Sequence, residues 1–391
     1  MKKVNIVEYS EMVFKTLLVI FGLFLLAFYN MMIDMGDNPA HLKFVEAILN
    51  KDANGGYLVH MVVYPLYHVT TRMVSFICLN DIHIAAMCVL TLANIVSVIV
   101  MRRILNAICI GVNTWKKYAI DILAFFYLIF ETFAGPLTDG RIYARQCGPN
   151  PWHNPTITFV RPIGLLALLY FIKYMNGLEN NSEDRRNLVL FSLFSTLSVL
   201  AKPSFMMVFL PAMGIYVLFF YWMRDFYGKM TGAIRLLMAA CPSLVIIIFQ
   251  FLFCQFYNEG TVSPVKFQFG GFSDFSCIEI VKVCIATFPI PIMAFFLYGK
   301  RVFESIYSKI GYLALVFGII EMFFLTNGGS GDFSWGYDLA VGVITMVTLA
   351  MSIDNDDGKW KRNMLIIVFI CQVVIGFYYV INMYYGGGCW I

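Results

Sequence analysis

The chain has 391 residues, of which 60% are hydrophobic and only 13% are charged. Ordinary soluble domains carry about 25% charged residues, so this composition and the mean hydropathy of +0.75 exclude a soluble enzyme. They also exclude a disordered or fibrous protein and indicate a polytopic membrane protein. The net charge of +4 gives no support for a nucleic-acid partner.

Apolar runs long enough to cross a bilayer recur along the whole chain. The first run follows Lys2 and Lys3 without a small-residue cleavage site, so we expect it to be retained as a helix. The predicted spans lie at about 12–33, 84–101, 118–135, 157–175, 187–201, 205–222, 236–256, 278–298, 310–325, 336–353 and 363–384. This pattern predicts an all-α polytopic membrane protein with about 11 transmembrane helices. We expect one transmembrane domain over residues 1–391, without an appended soluble domain, although 187–201 is short and could be a re-entrant segment.

Most of the 28 Lys and Arg residues lie in short loops on the same side as the N-terminus. Because basic residues near the ends of spans resist translocation, we expect a cytoplasmic N-terminus and an outer C-terminus. The predicted outer loops are longer and cover 34–83, 136–156, 257–277 and 326–335. They contain all five histidines, so we expect any chemistry at the outer face.

The first outer loop combines carboxylates with an amphipathic segment. Asp34 and Asp37 follow the first span directly, and the apolar stretch 57–78 is interrupted by Tyr and His residues such as His60. Such residues keep a polar tip in water while their rings lie among apolar groups. The pattern therefore predicts interfacial helices beneath two carboxylates.

Two sequence elements between the first and second spans carry a resemblance to a known family. The motif GDNPAH at 36–41 and the element YPLYH at 64–68 resemble the first outer loop of the GT-C superfamily of integral-membrane glycosyltransferases. Later elements of similar kind are Asn154-Pro155 to Arg161-Pro162, Ala201-Lys202-Pro203-Ser204-Phe205 and Gly331-Asp332-Phe333-Ser334-Trp335-Gly336. The resemblance covers roughly the first hundred residues and the general plan of many spans with long outer loops. It implies a GT-C-like bundle, a polyprenyl-phosphate-linked sugar donor and an acidic base in the first outer loop.

Asp37 is the first candidate for that base. A carboxylate near the acceptor hydroxyl can take its proton as the new glycosidic bond forms. The ordinary alternative is that Asp37 caps the helix that follows Asn38 and Pro39. Asp34 is the second candidate, either as the base or as a metal or hydrogen-bond partner.

His41 and His68 are candidates for binding the substrate rather than a metal. With the neighbouring carboxylates they lack the HExxH-like spacing that places two ligands on one helical face. We therefore expect no cofactor, and a divalent metal stays open without support from a motif.

Lys202 and Arg161 are candidates for binding the donor phosphate, because a cation near the end of an apolar span needs water or an anion. The alternative for Lys202 is that its ammonium group reaches the membrane interface. Tyr64 and Trp335 can stack on sugar faces, or they can belong to the usual interfacial aromatic belt.

The sequence thus predicts an inverting glycosyltransferase in a bacterial inner membrane. Its partners would be a polyprenyl-phosphate sugar, a glycan or lipid-linked acceptor, and membrane lipids. A polymerase of polysaccharide repeat units is a related alternative. A transporter or flippase of lipid-linked glycans is a third, which the sequence disfavours because it shows neither repeated halves nor a charge cluster in the middle of the spans. Glu131 and Glu321, near outer ends of spans, are further functional candidates.

Overall fold

A computed structural model describes residues 6–50, 62–109, 113–133, 154–180, 182–256, 265–269, 276–326, 333–354 and 358–385. This part of the chain contains fourteen α-helices and one pair of two-residue strands. Helices are the expected solution in lipid, because each helix satisfies its own backbone hydrogen bonds. The prediction of an all-α polytopic membrane protein is confirmed.

The first half of the chain forms α1 (Ile6–Met32), α2 (Asn38–Asn50), α3 (Leu66–Ile77), α4 (Ile82–Ile108), α5 (Thr114–Phe126), α6 (Pro155–Glu179) and α7 (Arg185–Ala201). The second half forms α8 (Ser204–Ile215), α9 (Phe226–Phe256), α10 (Cys277–Thr287), α11 (Pro289–Tyr298), α12 (Ile306–Phe324), α13 (Ser334–Asp354) and α14 (Lys359–Tyr385). A π-helical turn (Tyr216–Tyr221) and a 3-10 turn (Trp222–Arg224) extend α8, and another 3-10 turn (Gly299–Phe303) follows α11. Strands β1 (Lys266–Phe267) and β2 (Leu325–Thr326) pair antiparallel.

Eight helices in the described ranges are long and apolar enough to cross a membrane, namely α1, α4, α6, α8 with its extension, α9, α12, α13 and α14. Helices α10 and α11 form a ninth candidate that is bent by 83° at their junction. Two of the predicted spans, 118–135 and 187–201, correspond to α5 and α7. These helices have 13 and 17 residues, which is fewer than the roughly 20 needed for a full crossing. The total of about eleven spans therefore stays a prediction.

The bundle has two chemically different ends. At the basic end, Arg102 near the end of α4 pairs with Glu11 of α1 at 2.7 Å and with Asp121 of α5 at 2.6 Å. Lys116 of α5 pairs with Asp354 of α13 at 3.2 Å at the same end. We call the opposite end of the bundle the loop end. Helices α1 and α7 end there, and α6, α8 and α13 begin there.

Helix α13 is the central element of the bundle, because nearly all of its residues are buried. It packs against α12, α8, α11 and α14. Gly318 of α12 allows a close approach, since a Cβ atom there would lie 2.8 Å from Tyr337 Cα. Helix α13 therefore carries the side chains near its start, Trp335 and Asp338, into the protein interior.

Helix α5 ends at Phe126, and the chain then continues through buried, non-helical residues as far as 133. The Glu131 amide donates a hydrogen bond to Gln372 O in the middle of α14, at 3.0 Å. Gly376 of α14 packs on the same segment, since an added Cβ atom would lie 1.6 Å from Ile129 O. Irregular backbone at membrane depth occurs where protein buries it or where it lines a water-filled cavity. The prediction that a helix continues to 135 is therefore wrong, because these apolar residues are buried without being helical.

Candidate functional site

Asp37 lies in the turn between α1 and α2, where Gly36 adopts a positive φ of 61°. The half-buried Asp37 carboxylate accepts a hydrogen bond from Asn154 Nδ2 at 2.8 Å. Asn154 in turn caps α6, because its Oδ1 accepts from the Thr156 and Ile157 amides at 3.0 and 3.2 Å. Asp37 is therefore held at the start of α6, where the helix dipole favours a negative charge.

Asp34 lies in different surroundings. Its side chain is 76% exposed, and its Oδ1 lies 3.6 Å from Nδ1 of His83 at the start of α4. Of the two carboxylates proposed from the sequence, Asp37 is the one that contacts the start of α6, whereas Asp34 faces His83.

His41 of α2 and His68 of α3 form a buried pair beside Asp37. His41 Nδ1 lies 2.9 Å from His68 Nε2, and the rings are stacked with centroids 5.2 Å apart. One ring nitrogen must donate the shared proton while the other accepts it. The adjacent Tyr67 is buried, which raises the pKa of its phenol and keeps it protonated. The pair joins α2 to α3 and fixes the position of both helices relative to Asp37.

Lys202 lies between α7 and α8, where its extended backbone ends the helix after Ala201. Its side chain is only 6% exposed. The ammonium nitrogen lies 5.2 Å from the ring centroid of Trp335 and 5.8 Å from that of Tyr64. Aromatic faces stabilise a desolvated cation at such distances. The contacts bring together the first loop, the α7–α8 junction and the start of α13.

Gln250 of α9 supports this arrangement and was not singled out from the sequence. Its Nε2 donates to Val63 O, next to Tyr64, and to Val199 O of α7 at 3.2 Å. A buried amide in an apolar span is the sequence signal that could have identified it. Gln250 thus holds the first loop against α7 and α9.

The structure brings together most of the candidate site residues at the loop end. Tyr64 links the two groups, because its ring lies 6.3 Å from the His68 ring and contacts the Lys202 ammonium. The candidates that it brings together there are Asp37, His41, Tyr64, His68, Lys202 and Trp335, whereas Asp34 lies at the same end but faces His83. His60 and Asp332 lie outside the described residues. Within the described part, no group of three metal-binding side chains is placed to hold an ion.

Arg161 belongs to a second, deeper cluster. Its side chain is 1% exposed, and its guanidinium carbon lies 5.5 Å from the Tyr127 ring centroid. Arg161 and Glu131 both interact electrostatically with Asp338, and all three side chains are buried. The Asp338 carboxylate has no hydrogen-bond partner among the described residues. Residues far apart in sequence therefore form a buried charged cluster, which lies nearer the loop end than the middle of α6 and α13.

An apolar groove lies between α8 and α9 and begins close to Lys202. The α8–α9 groove has a volume of about 590 Å³ and is lined by Met206, one turn after Lys202, and by Trp222 at its far end. These positions are about 24 Å apart along a helix. An added Cβ on Gly214 would meet nothing within 4 Å, so this glycine borders open space. Glu321 is the acidic residue that lines the groove.

Comparison of this chain with protein-family models, curated proteins and solved structures finds no match.

Proposed function

We propose that the protein is an inverting glycosyltransferase with a GT-C-like architecture, using a polyprenyl-phosphate-linked sugar as donor. The observation that carries this proposal is the arrangement at the loop end. A half-buried carboxylate, Asp37, and an aromatic-enclosed ammonium, Lys202, lie there with an apolar groove that starts one turn from Lys202. Such a reaction needs a base for the acceptor, a cation for the donor phosphate and a path for the lipid tail of the donor.

Asp37 acts as the general base in this proposal. The acceptor hydroxyl loses its proton to the carboxylate while its oxygen attacks the anomeric carbon of the donor. The bond between that carbon and the phosphate oxygen breaks, and the configuration inverts. The Asn154 amide orients the carboxylate for this step.

Lys202 stabilises the leaving group. The polyprenyl phosphate gains negative charge as the bond breaks, and a nearby ammonium lowers the energy of that transition state. Tyr64 and Trp335 restrict the ammonium to one region and offer faces for stacking on sugar rings. Arg161 is also a candidate for binding the donor phosphate, but it lies deeper in the bundle. It would act on the phosphate through the electrostatic field of its buried cluster.

The α8–α9 groove is the proposed path of the polyprenyl tail. Its lining is almost entirely apolar, and the exposed side chains of Leu218, Ile234 and Leu237 border it. A length of about 24 Å covers most of a hydrocarbon core of about 30 Å. A long isoprenoid can therefore enter from the bilayer with its phosphate directed towards Lys202.

The membrane arrangement forms part of the proposal. Helices α2 and α3 would lie at the interface beside about eleven spans, and exposed Met73, Phe76 and Ile77 on α3 favour this placement. The concentration of basic residues at the basic end favours a cytoplasmic location for it, with the loop end and the C-terminus outside. We place the protein in a bacterial inner membrane.

A transporter or flippase of lipid-linked glycans is the second candidate function. The buried cluster of Arg161, Glu131 and Asp338 favours it, because ionisable side chains that face the interior of a helix bundle often mark a substrate or ion pathway. A polymerase of polysaccharide repeat units would use the same loop-end chemistry on longer acceptors.

Glycan analysis separates these functions. Lipid-linked and surface glycans are compared between wild-type cells and cells in which the gene is deleted. A glycan that lacks one sugar in the deletion supports the glycosyltransferase. Single complete repeat units would instead indicate a polymerase, and complete lipid-linked glycans retained on the cytoplasmic side would indicate a flippase; either result overturns the proposal.

A further inference from the structure

A second groove lies between α11 and α12, in the half of the bundle nearer the basic end. The α11–α12 groove has a volume of about 940 Å³, and its walls include Phe295, Phe296, Val316 and Ile319, with Phe220 contributed by the π-helical turn. Phe296 and Val316 are exposed at the lipid-facing surface. Exposed apolar walls of this kind suit a hydrocarbon chain that enters from the side.

The mouth of this groove at the basic end is positively charged. Lys300 and Lys309 line it, and no acidic residue of the described chain does. The Lys309 ammonium lies 5.4 Å from the Phe220 ring centroid and 6.0 Å from that of Tyr216. Glu304, the acidic residue nearest in sequence, lines a different cavity. An anionic group in the groove would therefore meet two cations in its lining, while Glu179 lies outside the lining and binds the Tyr216 hydroxyl.

The length of the groove corresponds to one leaflet. Lys309 and Ile319 are ten residues apart on α12, which is about 15 Å along a helix. The hydrocarbon core of a bilayer is about 30 Å thick, so this distance equals one half of it. The occupant thus combines an anionic headgroup with a chain that reaches the bilayer centre.

We propose that the α11–α12 groove binds one anionic glycerophospholipid from the leaflet at the basic end. The phosphate lies between Lys300 and Lys309, and an acyl chain packs along Phe295, Val316 and Ile319. Basic pockets between transmembrane helices are suited to anionic headgroups at the cytoplasmic leaflet. The groove is separate from the α8–α9 groove, and the inference does not rest on the proposed glycosyltransferase activity.

Lipid binding has a structural consequence at this position. The groove joins α11, α12 and the π-helical turn that extends α8. A ligand that binds only the folded state raises the unfolding midpoint. An anionic lipid should therefore stabilise the protein more than a zwitterionic lipid with the same chains.

The test uses the purified full-length protein in detergent, with dioleoyl phosphatidylglycerol or dioleoyl phosphatidylcholine added. Thermal unfolding and native mass spectrometry are measured for wild type, for K300Q/K309Q and for the matched control K229Q/K359Q. The control removes two lysines that lie at the same end of the bundle and do not line the groove. We expect preferential binding and stabilisation by phosphatidylglycerol, and a loss of about 10- to 30-fold in its affinity in K300Q/K309Q only.

A second variant, Val316→Trp, places a bulky indole in the path of the acyl chain and leaves both lysines unchanged. We expect it also to lose phosphatidylglycerol binding, and glycerol phosphate alone to give no stabilisation, because the site needs the acyl chain. Equal effects of the two lipids on the wild type would overturn the proposal. So would phosphatidylglycerol binding that persists in K300Q/K309Q or, should that variant not fold, in Val316→Trp.

Discussion

At the residue scale, Asp37 and Lys202 carry opposite charges at one end of the bundle, and each is held by a side chain far away in sequence. Asn154 binds Asp37 across 117 positions, and Trp335 lies against Lys202 from the start of α13. Sequence spacing cannot show such contacts. The motif at 36–41 identified Asp37 as a candidate, but the geometry around it depends on α6.

Lys202→Gln tests the phosphate-binding role. Removing one group that stabilises transition-state charge costs roughly 10²- to 10³-fold in turnover. We expect a loss of this size in sugar transfer by isolated membranes at matched protein level. Lys43→Gln is the control, because Lys43 is exposed on α2. Equal activity of the two variants would remove Lys202 from the mechanism.

Asn154 has two functions that substitutions can separate. Asn154→Ala removes the cap of α6, which costs about 1 kcal/mol, and also the hydrogen bond to Asp37. Asn154→Ser keeps a capping hydroxyl but is too short to reach the Asp37 carboxylate. We expect both variants to lose transfer activity and only Asn154→Ala to lower the thermal unfolding midpoint. Full activity in Asn154→Ser would show that Asp37 needs no orientation by this side chain.

At the element scale, the composition of the sequence predicted where apolar helices occur but not where they break. The stretch 127–130 is as apolar as a helix, yet its backbone leaves the helix and approaches α14. Apolar composition predicts that a segment is buried, but a buried segment can adopt several backbone conformations. The sequence does contain a signal for the bend after α10. Phe288 precedes Pro289, and residues before proline avoid helical geometry.

Gly376→Ala tests the contact between α14 and the buried segment after α5. The added methyl group would lie 1.6 Å from Ile129 O, so α14 and this non-helical segment must separate. We expect a large loss of folded protein in fluorescence-detected size-exclusion chromatography after heating. Gly214→Ala is the matched control, because a Cβ there meets nothing within 4 Å. If the two variants are equally stable, the close packing of α14 on this segment is wrong.

At the scale of the whole molecule, the two ends of the bundle differ in charge, and this difference sets the expected orientation. Ion pairs such as Arg102 with Glu11 tie the helices at the basic end. The loop end instead gathers histidines, aromatic residues and Asp37. The proposed use of the donor at the outer face and the positive-inside rule both require the loop end to lie outside.

Thiol labelling measures that orientation. Lys43→Cys on α2 and Arg186→Cys on α7 place exposed thiols at opposite ends of the bundle, in a background in which all ten native cysteines are replaced by serine. A membrane-impermeant maleimide should label Lys43→Cys in intact cells and Arg186→Cys only after permeabilisation. The reverse pattern would place the loop end in the cytoplasm.

In the proposed mechanism, Asp37 deprotonates the acceptor hydroxyl. The most direct measurement compares the glycans of deletion cells that express wild type, Asp37→Asn or Asp34→Asn at equal levels. Because a general base contributes about 10²- to 10⁴-fold, Asp37→Asn should accumulate the same truncated glycan as the deletion. Asp34→Asn should resemble wild type, since Asp34 is 76% exposed and faces His83. A wild-type glycan in Asp37→Asn cells would show that Asp37 is not the base.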